Sequence, residues 1–267
     1  MLKEMHITRG TAILSPLPDD MLRVLAEDGY KYHIKSLNTV KEINLSRASE
    51  ILCQRLLNIW NLNHSSLAGI HLHPDLVKKY KPAFNESQMY TGIRNEREYI
   101  WMSQILDDGH YWSYKVLKEP SHLIKIGLLD LWLLNPLRSS HKPNLILKPT
   151  GRGKLEIIPV NYHGILSNLQ EKKWNRALGL SDIQSILEMK MTKKAFIHLN
   201  KRIDKSEWYD YYQKAIDRTR AEYTDTIKSI NNIVRIDKTL WNQLYIFLFD
   251  SSRNESVFNH VWDRLKT

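Results

Sequence analysis

The stretch Leu128–Leu147, LLDLWLLNPLRSSHKPNLIL, places a short polar loop between two strongly apolar segments. The residues before the loop indicate a buried element, and those after it indicate a buried strand. Pro136 and Pro143 stop a helix from continuing through the loop, because proline lacks an amide N–H and restricts the residue before it. A rigid apolar frame on both sides is typical of a loop that presents reactive side chains. An ordinary connection between a helix and a strand would show the same pattern, so this stretch alone assigns no function.

The composition is that of a globular protein with a basic surplus. The chain has 267 residues, of which 42% are apolar and 25% are charged, so a sizeable core is expected rather than disorder. Its formal net charge of +10 suits an anionic partner, such as a nucleotide, a nucleic acid or an acidic protein. A basic surface without a specific partner would give the same charge, so the charge does not choose among these.

The sequence shows no feature of an exported or membrane protein. Its single cysteine, Cys53, excludes an internal disulfide and lies on an apolar helical stripe, which favours a core position over a nucleophile. The N-terminal residues carry acids and bases without a long apolar region, and no apolar run is long enough to cross a membrane. We therefore expect a cytoplasmic protein without a membrane partner.

Residues 22–35 are predicted to form a β-hairpin. Alternating apolar residues flank Asp28-Gly29, a pair that favours a tight turn because glycine adopts positive φ without strain. The second strand ends at Lys35. A solvated lysine at a strand end is the simplest interpretation of Lys35 when it is considered by itself.

Residues 46–61 are predicted to form a helix that begins with Ser46 as its N-cap. The apolar periodicity starts at Ile51, and Glu50 lies in the early turns, where a carboxylate suits the helix dipole. An ion pair between Glu50 and a lysine on a strand is the alternative role.

Three further segments have recognisable patterns. Residues 95–106 have helical character, residues 67–72 suggest a short strand, and residues 144–147 with 155–160 suggest a second hairpin. From about Leu180 onward, apolar stripes at helical spacing are typical of packed helices. The sequence therefore predicts an α+β protein with a strand-rich N-terminal part and a helical C-terminal part.

His71 and His73 alternate along the predicted strand and could share one face, as some metal ligands do. No cysteine, third histidine or carboxylate pattern completes a metal site beside them. The pattern therefore does not favour a metal centre.

Four segments resemble the HipA-like kinase family, bacterial proteins with an atypical serine/threonine protein-kinase fold. These segments are residues 25–35, 50–62, 130–147 and 158–164. The resemblance covers roughly Gly10 to Ile216 and is closest to short HipA-like kinases that lack the N-terminal extension of the full-length toxins. It implies a two-lobed, protein-kinase-like α+β fold. Residues 1–75 would form a small strand-rich N-lobe, and residues 76–267 a mainly helical C-lobe.

The nucleotide-side ion pair of the family's site is present in this sequence, whereas only Gly10 and the following TAILSP run stand where the family has a glycine-rich phosphate loop. The resemblance implies that Lys35 contacts the ATP phosphates and that Glu50 holds this lysine in an ion pair. Asn61 stands where the family usually has glycine, at the end of the helix that carries Glu50. ATP and Mg²⁺ are therefore the ligands that the resemblance implies.

The catalytic acid of the central loop is absent. Asn135, Arg138 and Asn144 match the family's loop, but Leu137 stands where the family has an aspartate. That aspartate positions the substrate hydroxyl group and accepts its proton, and leucine can do neither.

The second acid of the family is also absent. An ungapped alignment places Asn161 at the position of the Mg²⁺-binding aspartate, and a shift of one residue places Tyr162-His163 there. The resemblance implies Asn144 and Asn161 as the Mg²⁺ ligands. An amide oxygen can ligate Mg²⁺, but it brings no charge.

A chain that keeps the nucleotide-side pair and lacks both acids is expected to be a pseudokinase or a very weak kinase that acts through a protein partner. An active serine/threonine kinase with a displaced catalytic base is the second hypothesis. A basic nucleic-acid-associated module is the third, although the basic residues form no recognisable reading motif. The family includes toxins paired with DNA-binding antitoxins, which makes a small partner protein an expectation and a link to nucleic acid indirect.

Overall fold

The structure, a computed structural model, describes residues 6–17, 21–35, 40–79, 89–95, 100–102, 113–135, 137–170, 180 and 185–266. Five strands of its N-terminal part close into a barrel: β1 (His6–Leu17), β2 (Met21–Ala26), β3 (Lys31–Lys35), β4 (Leu67–Leu72) and β5 (Met89–Asn95). The order around the barrel is β1-β2-β3-β5-β4. Strands β1 and β4 run parallel, and the other neighbouring pairs run antiparallel.

The predicted hairpin is confirmed as β2 and β3. Gly29 adopts φ 80° in the turn, a backbone conformation that glycine reaches without a steric penalty. The Tyr32 hydroxyl donates a 2.6 Å hydrogen bond to an oxygen of Asp28, which ties the turn to the second strand. The hairpin also delivers Lys35 at the end of β3, where its backbone lies opposite Met21.

The helix after the barrel's third strand starts earlier than predicted. It is α1 (Val40–Ile59), so Ser46 lies inside the helix and is buried instead of capping it. Ser46 and Ser49 are tolerated in the helix interior because a serine hydroxyl can bond to the preceding turn, as that of Ser49 does to Leu45 O at 2.7 Å. The prediction of an N-cap at Ser46 is therefore wrong.

The prediction of a helix at residues 95–106 is wrong for Asn95, Ile100 and Trp101, whereas Met102 is helical. Asn95 ends β5, and Ile100–Trp101 forms a short strand, β6. This strand pairs with the strand that follows the central loop, so that Ile100 lies opposite Leu147. Such pairing between distant segments overrides local helical periodicity. Residues 96–99 and 103–106 lie outside the described part.

The second sheet and the remaining helices follow. The sheet has the order β6-β7-β8, with β7 (Leu145–Thr150) and β8 (Lys154–Pro159) forming the second predicted hairpin. The helices are α2 (Pro74–Lys79), α3 (Ser121–Leu133), α4 (Ile165–Gln170), α5 (Lys190–Leu199), α6 (Lys205–Asn231), α7 (Lys238–Leu248) and α8 (Ser251–Lys266). Thus the part of the chain after the barrel is mainly helical.

Helix α3 is the centre of the helical part. Eleven of its 13 residues are buried, which is expected for a helix that is apolar on all sides. The Trp132 indole N–H satisfies its hydrogen-bonding capacity with Leu248 O and Asn254 Oδ1, both at 3.0 Å. Gly127 permits close packing, because a Cβ atom there would lie 2.3 Å from Leu187 Cδ2. The helix therefore forms a rigid base for the polar loop that follows it.

The fold class is the predicted one: an α+β protein with a small curled sheet and a mainly helical remainder. Because β5 completes the barrel, the strand-rich part includes residues beyond the predicted boundary at residue 75. Among the helices within the described ranges, none combines the length and apolar character needed to span a membrane.

Candidate functional site

An ion pair buried beneath the central loop fixes its geometry. Arg138 Nε lies 2.7 Å from Asp130 Oδ2, and the two side chains are almost completely buried. Asp130 comes from the last turns of α3, whereas Arg138 comes from the loop itself. Burial raises the pKa of Asp130, while the charge of Arg138 opposes that shift. The pair therefore joins the loop to the rigid central helix.

Arg138 also binds backbone carbonyl groups at the end of the loop and after β8. Its guanidinium donates hydrogen bonds to Pro143 O at 2.8 Å, to Val160 O at 2.9 Å and to Asn144 O. These carbonyl groups belong to the end of the loop and to the residue that follows β8. A single buried side chain thus holds together the two segments in which the family's acids would lie.

The residue at the expected base position is held by two asparagines. Asn135 donates to Asp130 Oδ1 at 3.0 Å and accepts a 3.1 Å hydrogen bond from the Leu137 N–H. The Asn144 side-chain amide donates to Leu137 O. The backbone at position 137 is therefore well defined, but the side chain that it presents is apolar and accepts no proton.

Asn144 directly precedes β7, and Asn161 lies two residues after the end of β8. The Val160 N–H donates a 3.0 Å hydrogen bond to Asn144 O, which continues the strand pairing to these residues. Both asparagines are buried and have positive φ, 44° for Asn144 and 72° for Asn161, which asparagine tolerates better than most residues. The structure therefore places Asn144 opposite the residue that precedes Asn161, while their role as Mg²⁺ ligands stays a prediction.

The donor set at this position does not fit a resident Mg²⁺ ion. Its side-chain ligands would be two neutral amides, and the Asn161 oxygen is already in contact with His163 Nδ1. Protein Mg²⁺ sites normally include one or two carboxylates. Within the described ranges, no group of three or more histidine, cysteine, aspartate or glutamate residues could hold a metal ion.

Glu50 contacts the segment after β8. Its carboxylate accepts a 2.8 Å hydrogen bond from the Tyr162 N–H, although the two residues are 112 positions apart. The phenol ring of Tyr162 is buried, and the Arg138 guanidinium lies 4.9 Å from its centroid. Helix α1, the central loop and the end of β8 are thereby connected through Glu50, Tyr162 and Arg138.

The predicted pair between Lys35 and Glu50 stays a prediction. The backbone of Lys35 is placed at the end of β3, and its side chain lies outside the described part. Glu50 is partly buried on α1 and points its carboxylate to the Asn161–Tyr162 segment.

A small, half-open cleft lies beside Glu50. Its lining includes Gln54 and His64, whose Nε2 and Nδ1 atoms are 2.8 Å apart, together with Tyr162. Its cavity volume is about 20 Å³, which is room for roughly one water molecule. Pockets that enclose drug-sized ligands usually measure about 300–1,000 Å³. By itself, this cleft is therefore too small for a nucleotide.

Comparisons with known proteins give a structural likeness but no sequence family. No protein-family model matches this chain, and no curated protein sequence matches it. The crystal structure of a Helicobacter pylori proinflammatory kinase, CtkA, is similar to this chain, with a TM-score of 0.47. The two are 12% identical, and the match covers 97% of this chain and 98% of that one. At this level of similarity, residue roles cannot be transferred from one protein to the other.

Two other candidates from the sequence have ordinary structural roles. His71 is exposed on β4, and His73 Nδ1 lies 3.5 Å from Asp75, in a pair rather than a metal cluster. Cys53 is fully buried on α1, and burial raises the pKa of its thiol well above its ordinary value. A thiol in this state is a poor nucleophile.

The contribution of Tyr162 is the feature of the site that the sequence did not indicate. The sequence placed Tyr162 only as an alternative position in the alignment, whereas the structure makes it the contact between Glu50 and Arg138. The sequence analysis interpreted this segment through Asn161, because Asn161 stands where the resembled family has the Mg²⁺-binding aspartate. The only signal in the sequence for a structural role of Tyr162 was an aromatic residue two positions after the predicted strand at residues 155–160.

Proposed function

We propose that this chain is a HipA-like pseudokinase, a protein of kinase-like fold that binds a nucleotide weakly and acts through a protein partner. The observation that carries the proposal is a loop whose supporting frame is intact while its reactive positions are not. Asp130 and Arg138 hold the loop in place, yet Leu137 and Asn161 stand where the resembled family has acids. A folded site without catalytic carboxylates suits binding better than catalysis.

The geometry explains why phosphotransfer would be slow. A catalytic carboxylate must reach the substrate hydroxyl group, and Leu137 offers only methyl groups. Asp130 does not replace it, because it is buried and paired with Arg138 at 2.7 Å. The neutral amides of Asn144 and Asn161 leave the charge of Mg²⁺ to be balanced by the nucleotide phosphates alone.

An active kinase with a displaced base is the second candidate. From Leu131 to Leu155 the sequence contains no aspartate or glutamate, so a base would have to come from outside the loop and its strand. This alternative and the pseudokinase proposal differ in one measurable property, the transfer of phosphate.

We expect no phosphotransfer above background. Purified protein incubated with Mg²⁺ and ATP labelled on the γ-phosphate should incorporate label, into itself or into a generic protein substrate, no faster than Lys35→Ala does. The physical reason is that loss of members of a catalytic unit lowers the rate by several orders of magnitude. A competent serine/threonine kinase assayed in parallel provides the positive control. Time-dependent labelling of the wild type that disappears in Lys35→Ala would favour the active-kinase alternative.

A further inference from the structure

Three separate segments that are rich in lysine and arginine come together in the part of the chain after the barrel. Residues 113–118, 145–155 and 189–203 together contain ten lysine or arginine residues and no aspartate or glutamate. Each segment is unremarkable alone, because basic residues are frequent throughout the chain. Their combination matters because folding places them side by side.

Specific contacts join the three segments. The ring of Tyr114 lies 5.4 Å from that of His198 on α5, and Lys154 Nζ donates a hydrogen bond to Lys115 O. The Lys118 N–H bonds to Leu155 O at 2.9 Å, which attaches the first segment to β8. The tip of the β7–β8 hairpin, residues 114–116 and α5 therefore belong to one continuous surface.

The exposed cations of this surface form what we call the basic face. It consists of Lys115, Arg152, Lys154, Lys194, Lys201 and Arg202, all of which are exposed. Acids flank all three segments: Glu156 pairs with Lys118 at 2.7 Å, Glu188 pairs with Arg264 at 3.5 Å, Asp204 caps α6, and Glu119 is exposed. Among the described residues, none of the six cations of the basic face forms an ion pair with a carboxylate.

An apolar side chain lies among these cations. Ile197 is 59% exposed on α5 between Lys194 and Lys201, on the side opposite the buried Ala195 and Phe196. Helical spacing places positions 194 and 197 on one side of α5, and Lys201 lies in the turn that follows the helix. This end of α5 thus offers positive charge and an aliphatic contact to one occupant.

We propose that the basic face docks an acidic segment of a partner protein that also carries an apolar side chain. Charge complementarity favours an anionic occupant. A protein segment is favoured over a nucleic acid because Ile197 offers an aliphatic contact, and the Tyr114 ring is already packed against His198. The inference rests on the proposed function only for the existence of a protein partner, and it concerns a surface remote in sequence from Lys35 and Glu50.

The test is fluorescence anisotropy of a labelled synthetic peptide of repeated Glu-Leu-Glu-Glu units, titrated with the full chain at low salt. We expect the charge-reversed variant Arg152→Glu/Lys194→Glu/Lys201→Glu to bind the peptide at least about tenfold more weakly than the wild type. The matched control, Lys214→Glu/Arg235→Glu/Lys238→Glu, changes three exposed cations on or beside α6 and α7 and should bind like the wild type. Ile197→Ser should weaken the peptide complex by several fold.

Three outcomes would overturn the inference: no binding to the wild type, equal losses in the two charge-reversed variants, or a labelled single-stranded oligonucleotide that displaces the peptide and is unaffected by Ile197→Ser. Should charge reversal impair folding, the neutral variant Arg152→Gln/Lys194→Gln/Lys201→Gln and Ile197→Ser provide the same comparison. ATP binding measured on the same variants should not change. Failure of docking and failure of nucleotide binding are therefore separate results.

Discussion

Replacement of Arg138 by methionine is expected to lower the free energy of unfolding by about 3–5 kcal/mol. The substitution leaves Asp130 as a buried carboxylate without its cation, 2.7 Å from where the guanidinium stood. It also removes the donors to Pro143 O and Val160 O. Chemical denaturation with urea at neutral pH measures this loss.

Two further variants make the result specific to the buried pair. The double variant Asp130→Asn/Arg138→Met should be more stable than Arg138→Met alone, because it no longer contains an uncompensated buried charge. Arg220→Met removes an exposed arginine that bonds to Phe249 O at 3.3 Å, and it should cost less than about 1 kcal/mol. An Arg138→Met variant as stable as the Arg220→Met control would show that the pair does not hold the loop.

Restoring both acids, by Leu137→Asp with Asn161→Asp, is expected to raise the affinity for Mg²⁺-ATP by at least about tenfold. An aspartate at position 161 directly follows the residue opposite Asn144 and adds a charged oxygen ligand where the wild type has a neutral amide. Aspartate accepts the positive φ of 72° at this position about as well as asparagine does. The measurement is the Mg²⁺ dependence of ATP affinity in the two proteins.

The isosteric single variants separate the two positions. Asn161→Asp alone should account for most of the gain, since position 161 is the metal-binding one in the resembled family. Leu137→Asn places a polar but uncharged group in the loop and should leave the affinity near that of the wild type. An affinity that is identical with and without the restored acids would contradict the assignment of residues 137 and 161 to these positions.

Local patterns were sufficient for the elements that depend on neighbouring residues. The β2–β3 hairpin follows from Asp28-Gly29, and the β7–β8 hairpin follows from two apolar runs around a glycine-rich turn. The helix predicted at residues 95–106 fails at Ile100 and Trp101 because Ile100 pairs with Leu147, a partner that no local pattern reveals. The start of α1 failed because Ser46 can lie inside a helix as readily as at its beginning.

The candidate site likewise has features that the sequence predicts and features that only the structure reveals. The residue types of the central loop were visible in the sequence, and so were the missing acids at positions 137 and 161. The three carbonyl groups that Arg138 gathers could not be predicted, nor could the bond from Tyr162 to Glu50 across 112 positions. Long-range contacts of this kind depend on the packing of whole elements.

The basic face could not be predicted from the sequence either, because it is formed by segments that are distant along the chain. The sequence contained no cluster of basic residues that resembled a binding motif, because the contributing segments are separated by tens of residues. Folding brings them together through the contacts of Tyr114 with His198 and of Lys154 with Lys115. The net charge of +10 is visible in the sequence, but the position of these cations on one surface is visible only in the structure.

The most direct test of the central claim is a calorimetric titration of ATP, with and without Mg²⁺, into the wild type and Lys35→Ala. The claim is that the chain retains the nucleotide side of a kinase-like site and has lost its catalytic side. The account predicts weak binding to the wild type, little enhancement by Mg²⁺, and no measurable binding to Lys35→Ala. Absence of binding to well-folded wild type, or equal binding to both proteins, would contradict it.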